Sequence, residues 1–107
     1  MSARGAKLSV ALCVHNEAAQ LTKCLESLSF ADEIIIVLDR CSDGSKEIAE
    51  KFDAQIVEGA WPLEGPRRHA GIALCTGDWI LEVDADERAS EELGWEIRYA
   101  IKDAEPG

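Results

Sequence analysis

Glu33-Ile34-Ile35-Ile36-Val37-Leu38-Asp39-Arg40-Cys41-Ser42-Asp43-Gly44 is the stretch that decides the fold. Four consecutive β-branched residues, Ile34 to Val37, favour an extended chain, and a short unbroken apolar run of this kind suits a strand buried on both faces. The run stops at a carboxylate and enters a turn rich in Ser, Asp and Gly, the chemistry that starts a helix. A buried strand followed at once by a helix is the repeating unit of a parallel α/β sheet.

The same unit recurs on either side. Leu8 to Val14 is a continuous apolar run, read as a first strand, and residues 17–29 form a helix with Ala18, Leu21, Leu25 and Leu28 on one face and Asn16 as its cap. The turn over residues 39–44 leads into a second helix that ends near Phe52, with Ser42 and Asp43 as capping residues, and residues 54–57 read as a short third strand. Residues 58–65 read as a loop, and Pro66 suits the first turn of a third helix that ends at Gly77 in a left-handed conformation. Residues 78–83 form a fourth strand. A last helix opens at Ser90 with Glu91 and Glu92 at its positive end, burying Leu93, Ile97, Ala100 and Ile101. Four strands alternating with four helices predict a Rossmann-like parallel sheet in three α/β/α layers, joined by right-handed crossovers. Residues 1–6 read as a leader and 7–104 as one domain, a length that suits a single core.

Composition narrows the function. Eleven Lys and Arg against 21 Asp and Glu give a net charge of −10, which repels nucleic acid and anionic lipid. A polyanionic ligand would then need local help from a metal or from a few placed arginines. No apolar run reaches the roughly 20 residues of a membrane span, so a cytoplasmic protein is expected. The four cysteines, Cys13, Cys24, Cys41 and Cys75, are spaced too widely for a zinc site and three of them fall in apolar element positions. They read as reduced core thiols, with Cys41 alone placed in a loop beside binding residues.

In open parallel sheets, ligands bind beyond the carboxyl ends of the strands. Three polar clusters fall there: His15-Asn16-Glu17, Asp39 to Gly44, and Asp84-Ala85-Asp86-Glu87-Arg88. Asp84 and Asp86, one residue apart at a strand end, repel each other unless a cation lies between them. A hard divalent ion that keeps water and phosphate oxygens needs only one or two such carboxylates. Asp39 ends a buried strand, where it can accept from a base N–H or a ribose hydroxyl, whereas Asp43 before Gly44 reads as a cap. Arg67 and Arg68 are adjacent on a helix, so at most one is expected to face the crevice.

These clusters, in this order, resemble the N-terminal half of glycosyltransferase family 2, inverting nucleotide-sugar enzymes with a GT-A fold. The pieces are Ser9 to Glu17, Cys24 to Leu28, Ala31 to Val37, Ser42 to Ser45, Arg67 to Gly71 and Gly77 to Arg88. Two of them, Ala31 to Val37 and Gly77 to Arg88, are similar to the subgroup that builds lipopolysaccharide core sugars. The resemblance implies that His15, Asn16, Glu17 and Asp39 hold the nucleoside and that Arg68 lies near the nucleotide. It implies Asp84 at ribose or metal, Asp86 at the metal, and Mn2+ or Mg2+ as the ion. Asp39 either matches the aspartate of the family's second-strand turn or sits one place from it. His69 stands where the family has Asn.

The activity implied by the resemblance is an inverting hexosyl transfer from a nucleotide-diphosphate sugar to a glycan or lipid-linked acceptor, at the cytoplasmic face of a membrane. The family's general base and acceptor surface lie in a second half, so this chain is expected to be the donor-binding half, inactive alone and able to self-associate through its last strand. Two other readings stand beside it. One is a non-enzymatic α/β assembly module, and the other is a phospho-receiver domain, disfavoured because its acids should follow the first and third strands.

Overall fold

In the computed structural model, which describes residues 6–102, every expected strand and helix is present. The order is β1 (Leu8–Val14), α1 (Ala18–Glu26), β2 (Glu33–Asp39), α2 (Ser45–Lys51), β3 (Gln55–Gly59), α3 (Glu64–Ile72), β4 (Trp79–Asp84) and α4 (Glu91–Ile101). Residues 1–5 of the expected leader, and 103 and 104 of the expected domain, lie outside the described residues.

The strands form one sheet in the order β3-β2-β1-β4, all parallel. The central pair explains the two continuous apolar runs: β1 and β2 are covered on both faces, and Val10, Leu12, Ile35, Ile36 and Val37 are fully buried. One face carries Val10, Leu12, Val14, Ile36 and Leu38 against Leu21, Cys24, Leu25 and Leu28 of α1 and its C-terminal turn, with Ala49 of α2 completing the cluster. On the other face Gly71 of α3 lies against Val37 and Ala11. Helices on both faces give the three layers anticipated.

Chain order runs outward from β1 to β2 to β3, then returns across the sheet to place β4 on the far side of β1. The direction of travel therefore reverses between β1 and β4. The crevice at such a switch point, beyond the carboxyl ends of the strands, is where parallel α/β sheets hold ligands.

Several local expectations give way to tertiary demands. The third helix begins at Glu64 and ends at Ile72, so Gly77 is not its left-handed terminus. A Cβ at Gly77 would come within 2.8 Å of the Ser9 backbone nitrogen, and the residue is glycine because β1 passes that close. Along α4 the buried face is Gly94 and Ile101 with Ile97 half-buried, while Leu93 is 43% exposed and Ala100 is also exposed. The helix rotates because Gly94 seats on the Phe30 ring, where a Cβ would come within 2.8 Å. Ser90, where the last helix was expected to open, is its cap and accepts from the Leu93 N–H at 3.0 Å.

Candidate nucleotide and metal site

The carboxyl tips of β1 and β2 are bound to each other by side chains. Asn16, directly after β1, has φ 51°, a left-handed angle that Asn tolerates better than most residues. Its Oδ1 accepts from the backbone N–H of Ser42 at 2.7 Å and of Asp43 at 3.3 Å. Asn16 therefore clasps the turn after β2 instead of capping α1. Asp43 takes over that capping role, its Oδ2 accepting from the Ala18 N–H at 3.1 Å. Its Oδ1 holds Ser45 at the start of α2 by both the backbone N–H and the hydroxyl, and these bonds lower its pKa, the Ser45 hydroxyl most of all.

His15 Nδ1 lies 2.7 Å from the Asp39 carbonyl oxygen. A carbonyl can only accept, so the proton sits on Nδ1 and leaves Nε2 free at the rim. Glu17 accepts from the His15 N–H at 3.1 Å. Cys41 closes the junction, its sulfur taking the Asn16 N–H at 3.4 Å and donating to the Val14 carbonyl at 3.4 Å. The loop cysteine is thus a strand-tip tie. Burial pushes the other three thiols up, Cys24 to about 11, which keeps them protonated and unreactive at neutral pH.

Asp39 is the last residue of β2 and is 0% exposed. Its Oδ1 accepts from Arg40 Nε at 2.9 Å and from the Trp61 N–H at 2.9 Å. Its Oδ2 accepts from Arg40 Nη2 at 3.0 Å and from Arg67 Nη1 at 3.2 Å. The Arg40 hydrogen bonds are the main cause that pulls its pKa down to about 2, with the Trp61 N–H and Arg67 adding to them against the cost of burial. Arg40 has φ 52°, and its own N–H is fixed to the Gly59 carbonyl at 2.8 Å.

Across the switch point, Cys13, Arg67, Arg68, Glu82 and Asp84 line a small cleft between α3 and the ends of β1 and β4. Both arginines line it, not one. Arg67 reaches Asp39, while Arg68 bridges Glu64 at 3.4 Å and Glu82 at 3.3 Å. The sequence favours Arg68 and misses Arg67, although one signal points to it: Arg67 lies four residues before Gly71, on the helix face that meets the sheet. Arg67 Nε is buried without a hydrogen-bond partner. With Arg40, these side chains gather three cations at one edge of an acidic chain.

Asp84 ends β4 and Asp86 follows one buried residue later, at Ala85. Both are exposed. Among the described residues no lysine, arginine or other donor engages either carboxylate. The turn that carries them is held by backbone and by Glu87, whose Oε1 accepts from the Asp84 N–H at 2.7 Å while its N–H donates to the Asp84 carbonyl at 2.9 Å. No group of three or more metal-ligating side chains exists among the described residues. Two free hard-oxygen donors suit Mn2+ or Mg2+ that completes its shell with phosphate and water, and do not suit a closed structural site.

Known proteins resemble this chain in sequence and in fold. A family model described as "Glycosyl transferase family 2" matches residues 9–101. An uncharacterized glycosyltransferase of Rickettsia felis is 35% identical over 94 residues, covering 87% of this chain and 33% of that protein. The lipopolysaccharide core biosynthesis glycosyltransferase LpsC of Rhizobium meliloti is 33% identical over 95 residues, 80% of this chain and 34% of that protein. The chain thus spans about one third of the length of these curated relatives. Among solved structures, the mannosyltransferase PcManGT of Pyrobaculum calidifontis, in complex with GDP-Man and Mn2+, superposes with a TM-score of 0.78 at 16% identity over 95% of this chain and 33% of that one. Glucosyl-3-phosphoglycerate synthase of Mycobacterium tuberculosis, with Mn2+ and UDP, gives 0.67 at 23% identity over 76% of this chain and 34% of that one. At these identities the structural likeness establishes the GT-A type fold.

Proposed function

The chain belongs to glycosyl transferase family 2, and from that premise we propose that it is the donor-binding part of a nucleotide-sugar-dependent glycosyltransferase. The observation that carries the reading is the pairing of two free carboxylates, Asp84 and Asp86, with the arginine-lined cleft at the β1/β4 switch point. His15, Asn16 and Glu17 form the wall beside the nucleoside, Asp39 holds the arginines in place, and Arg67 and Arg68 face the diphosphate. Asp84 and Asp86 would hold Mn2+ or Mg2+. Such an ion, when bound, neutralises charge that develops on a diphosphate leaving group.

The fuller reaction is an inverting hexosyl transfer to a glycan or lipid-linked acceptor, in assembly of cell-envelope polysaccharide at the cytoplasmic side of the membrane. Likeness to a lipopolysaccharide core enzyme supports the envelope role. No described helix is long and apolar enough to cross a membrane. Inversion needs a general base on the acceptor side. Coverage of about one third of the relatives supports placing that base outside these residues, so the isolated chain should bind nucleotide and transfer sugar poorly.

Calorimetry with GDP and UDP, with and without Mn2+, tests this on wild type and Asp86→Ala. Metal-dependent binding that weakens at least about tenfold in the variant supports the site. Metal-independent binding untouched by the substitution would remove it.

A second reading is favoured by the outer edge of β4, which pairs with no strand among the described residues and carries Ile80 at 42% exposure. Free edges invite pairing, so the chain could serve assembly, including self-association. Light scattering distinguishes the cases: a monomer at high concentration argues against it.

A further inference from the structure

The cleft at the β1/β4 switch point is closed from within. It has a volume of about 20 Å3, room for about one water molecule and not for a diphosphate. Two of its lining residues meet as an ion pair that joins helix to sheet: Arg68 Nη1 of α3 lies 3.3 Å from the Glu82 carboxylate of β4. Glu82 shares a strand face with Asp84, at alternate exposed positions of β4. Asp84 has no cation, whereas Glu82 has taken one. The pair stays partly in solvent, its side chains 48% and 39% exposed, so it opens at little cost. Strand backbone fixes Glu82, while Arg68 sits on a long, flexible stem. Its other tie, Glu64, lies one helical turn back at 3.4 Å and does not line the cleft. Arg67 cannot replace it, being committed to the buried Asp39.

We propose that Glu82 is an internal stand-in for the ligand's phosphate, and that it sets how tightly this site holds a nucleoside diphosphate. Carboxylate and phosphate oxygens are alternative acceptors for one guanidinium. Diphosphate binding is then an exchange, in which Arg68 leaves Glu82 and takes a phosphate oxygen. Glu82 is left without its cation beside an anion. Both halves of the exchange lower affinity. The inference rests on the nucleotide-site reading above and adds to it a residue that opposes the ligand. An amide at position 82 keeps the shape and removes the charge, so it should strengthen binding, which the loss of a merely structural ion pair would not do.

Calorimetry of the 107-residue chain with GDP and with UDP, in the presence of Mn2+, tests this on wild type, Glu82→Gln, Arg68→Gln and the double variant. Glu82→Gln should bind both nucleotides about fivefold more tightly than wild type, the upper end of what an exposed ion pair is worth. On the Arg68→Gln background, with no guanidinium to release, the gain should fall to about twofold or less. Binding by Glu82→Gln that only equals or falls below that of wild type, with the metal dependence of wild type intact, would overturn the role of Glu82 and leave the site standing. A gain as large without Arg68 would overturn the exchange, since Glu82 would then be no more than a repelling charge. Failure of both wild type and Glu82→Gln to bind either nucleotide would overturn the site reading and this inference together.

Discussion

Two strand tips on either side of β1 end in the same residue type and have opposite physics. Asp39, at the end of β2, is fully buried and has four donors on its two oxygens. Asp84 and Asp86, at the end of β4, are exposed and have none among the described residues. A carboxylate whose acceptors are filled from within holds its neighbours in place. One that reaches solvent without a cation keeps its lone pairs open to a ligand. The closed tip builds the wall, and the open tip is the one proposed to bind.

The largest difference should appear in stability. Asp39→Ala strips the partly buried Arg67 guanidinium and the Trp61 N–H of their acceptor, and is expected to cost about 3 kcal/mol in urea denaturation. Asp84→Ala and Asp86→Ala should stay within about 0.5 kcal/mol of wild type, as surface changes do. Equal losses at the two tips would break the comparison.

Acid sharpens it. The folded pKa of Asp39 is depressed to about 2 from an ordinary value of 3.8. Its contribution is therefore fully present above pH 4 and is lost as pH falls through about 2. The stability gap between wild type and Asp39→Asn should shrink by about 2 kcal/mol over that window. A gap that stays constant with pH would mean that the arginines do not hold the ionised form.

The joint between the β1 and β2 tips comes next. Asn16→Ala loses the acceptor for Ser42 and Asp43 and puts alanine at φ 51°, an expected cost of about 1–2 kcal/mol. Asn16→Gly relieves the angle and should cost about half as much. The smallest of these three effects belongs to the open tip: Glu87→Ala removes one exposed bond to the Asp84 N–H and should cost about 0.5 kcal/mol. Thermal melts of the three variants set this order.

How far sequence reaches depends on the range of each interaction. The strands β1 and β2 are legible because unbroken apolar runs reflect burial on both faces, a property of the run itself. The opening of α4 at Ser90 is legible because the signal is local, the Ser90 hydroxyl holding the N–H of Leu93 three residues away. The gathering of His15, Asp39 and Asp84 at one edge comes from alternation of strand and helix. The partners of Asp39 do not, because Arg67 lies 28 residues later and the Arg40 fork depends on a left-handed turn that no periodicity encodes. Asn16 misleads for the same reason. Its nearest use is a local cap, and its actual bonds reach 26 and 27 residues along the chain. The α4 face shifts because Gly94, which carries no side chain to mark a buried stripe, fits a ring that belongs to Phe30.

Mn2+ is its own probe for the central claim, since it broadens the NMR signals of amides near it. Titrated in substoichiometric amounts with GDP present, it should broaden the amides of Asp84 to Glu87 first and those of His15 and Asn16 next, with Asp86→Ala abolishing the effect. Broadening that centres instead on the acidic start of α4, at Glu91 and Glu92, and persists in Asp86→Ala would contradict a cation site at the open tip.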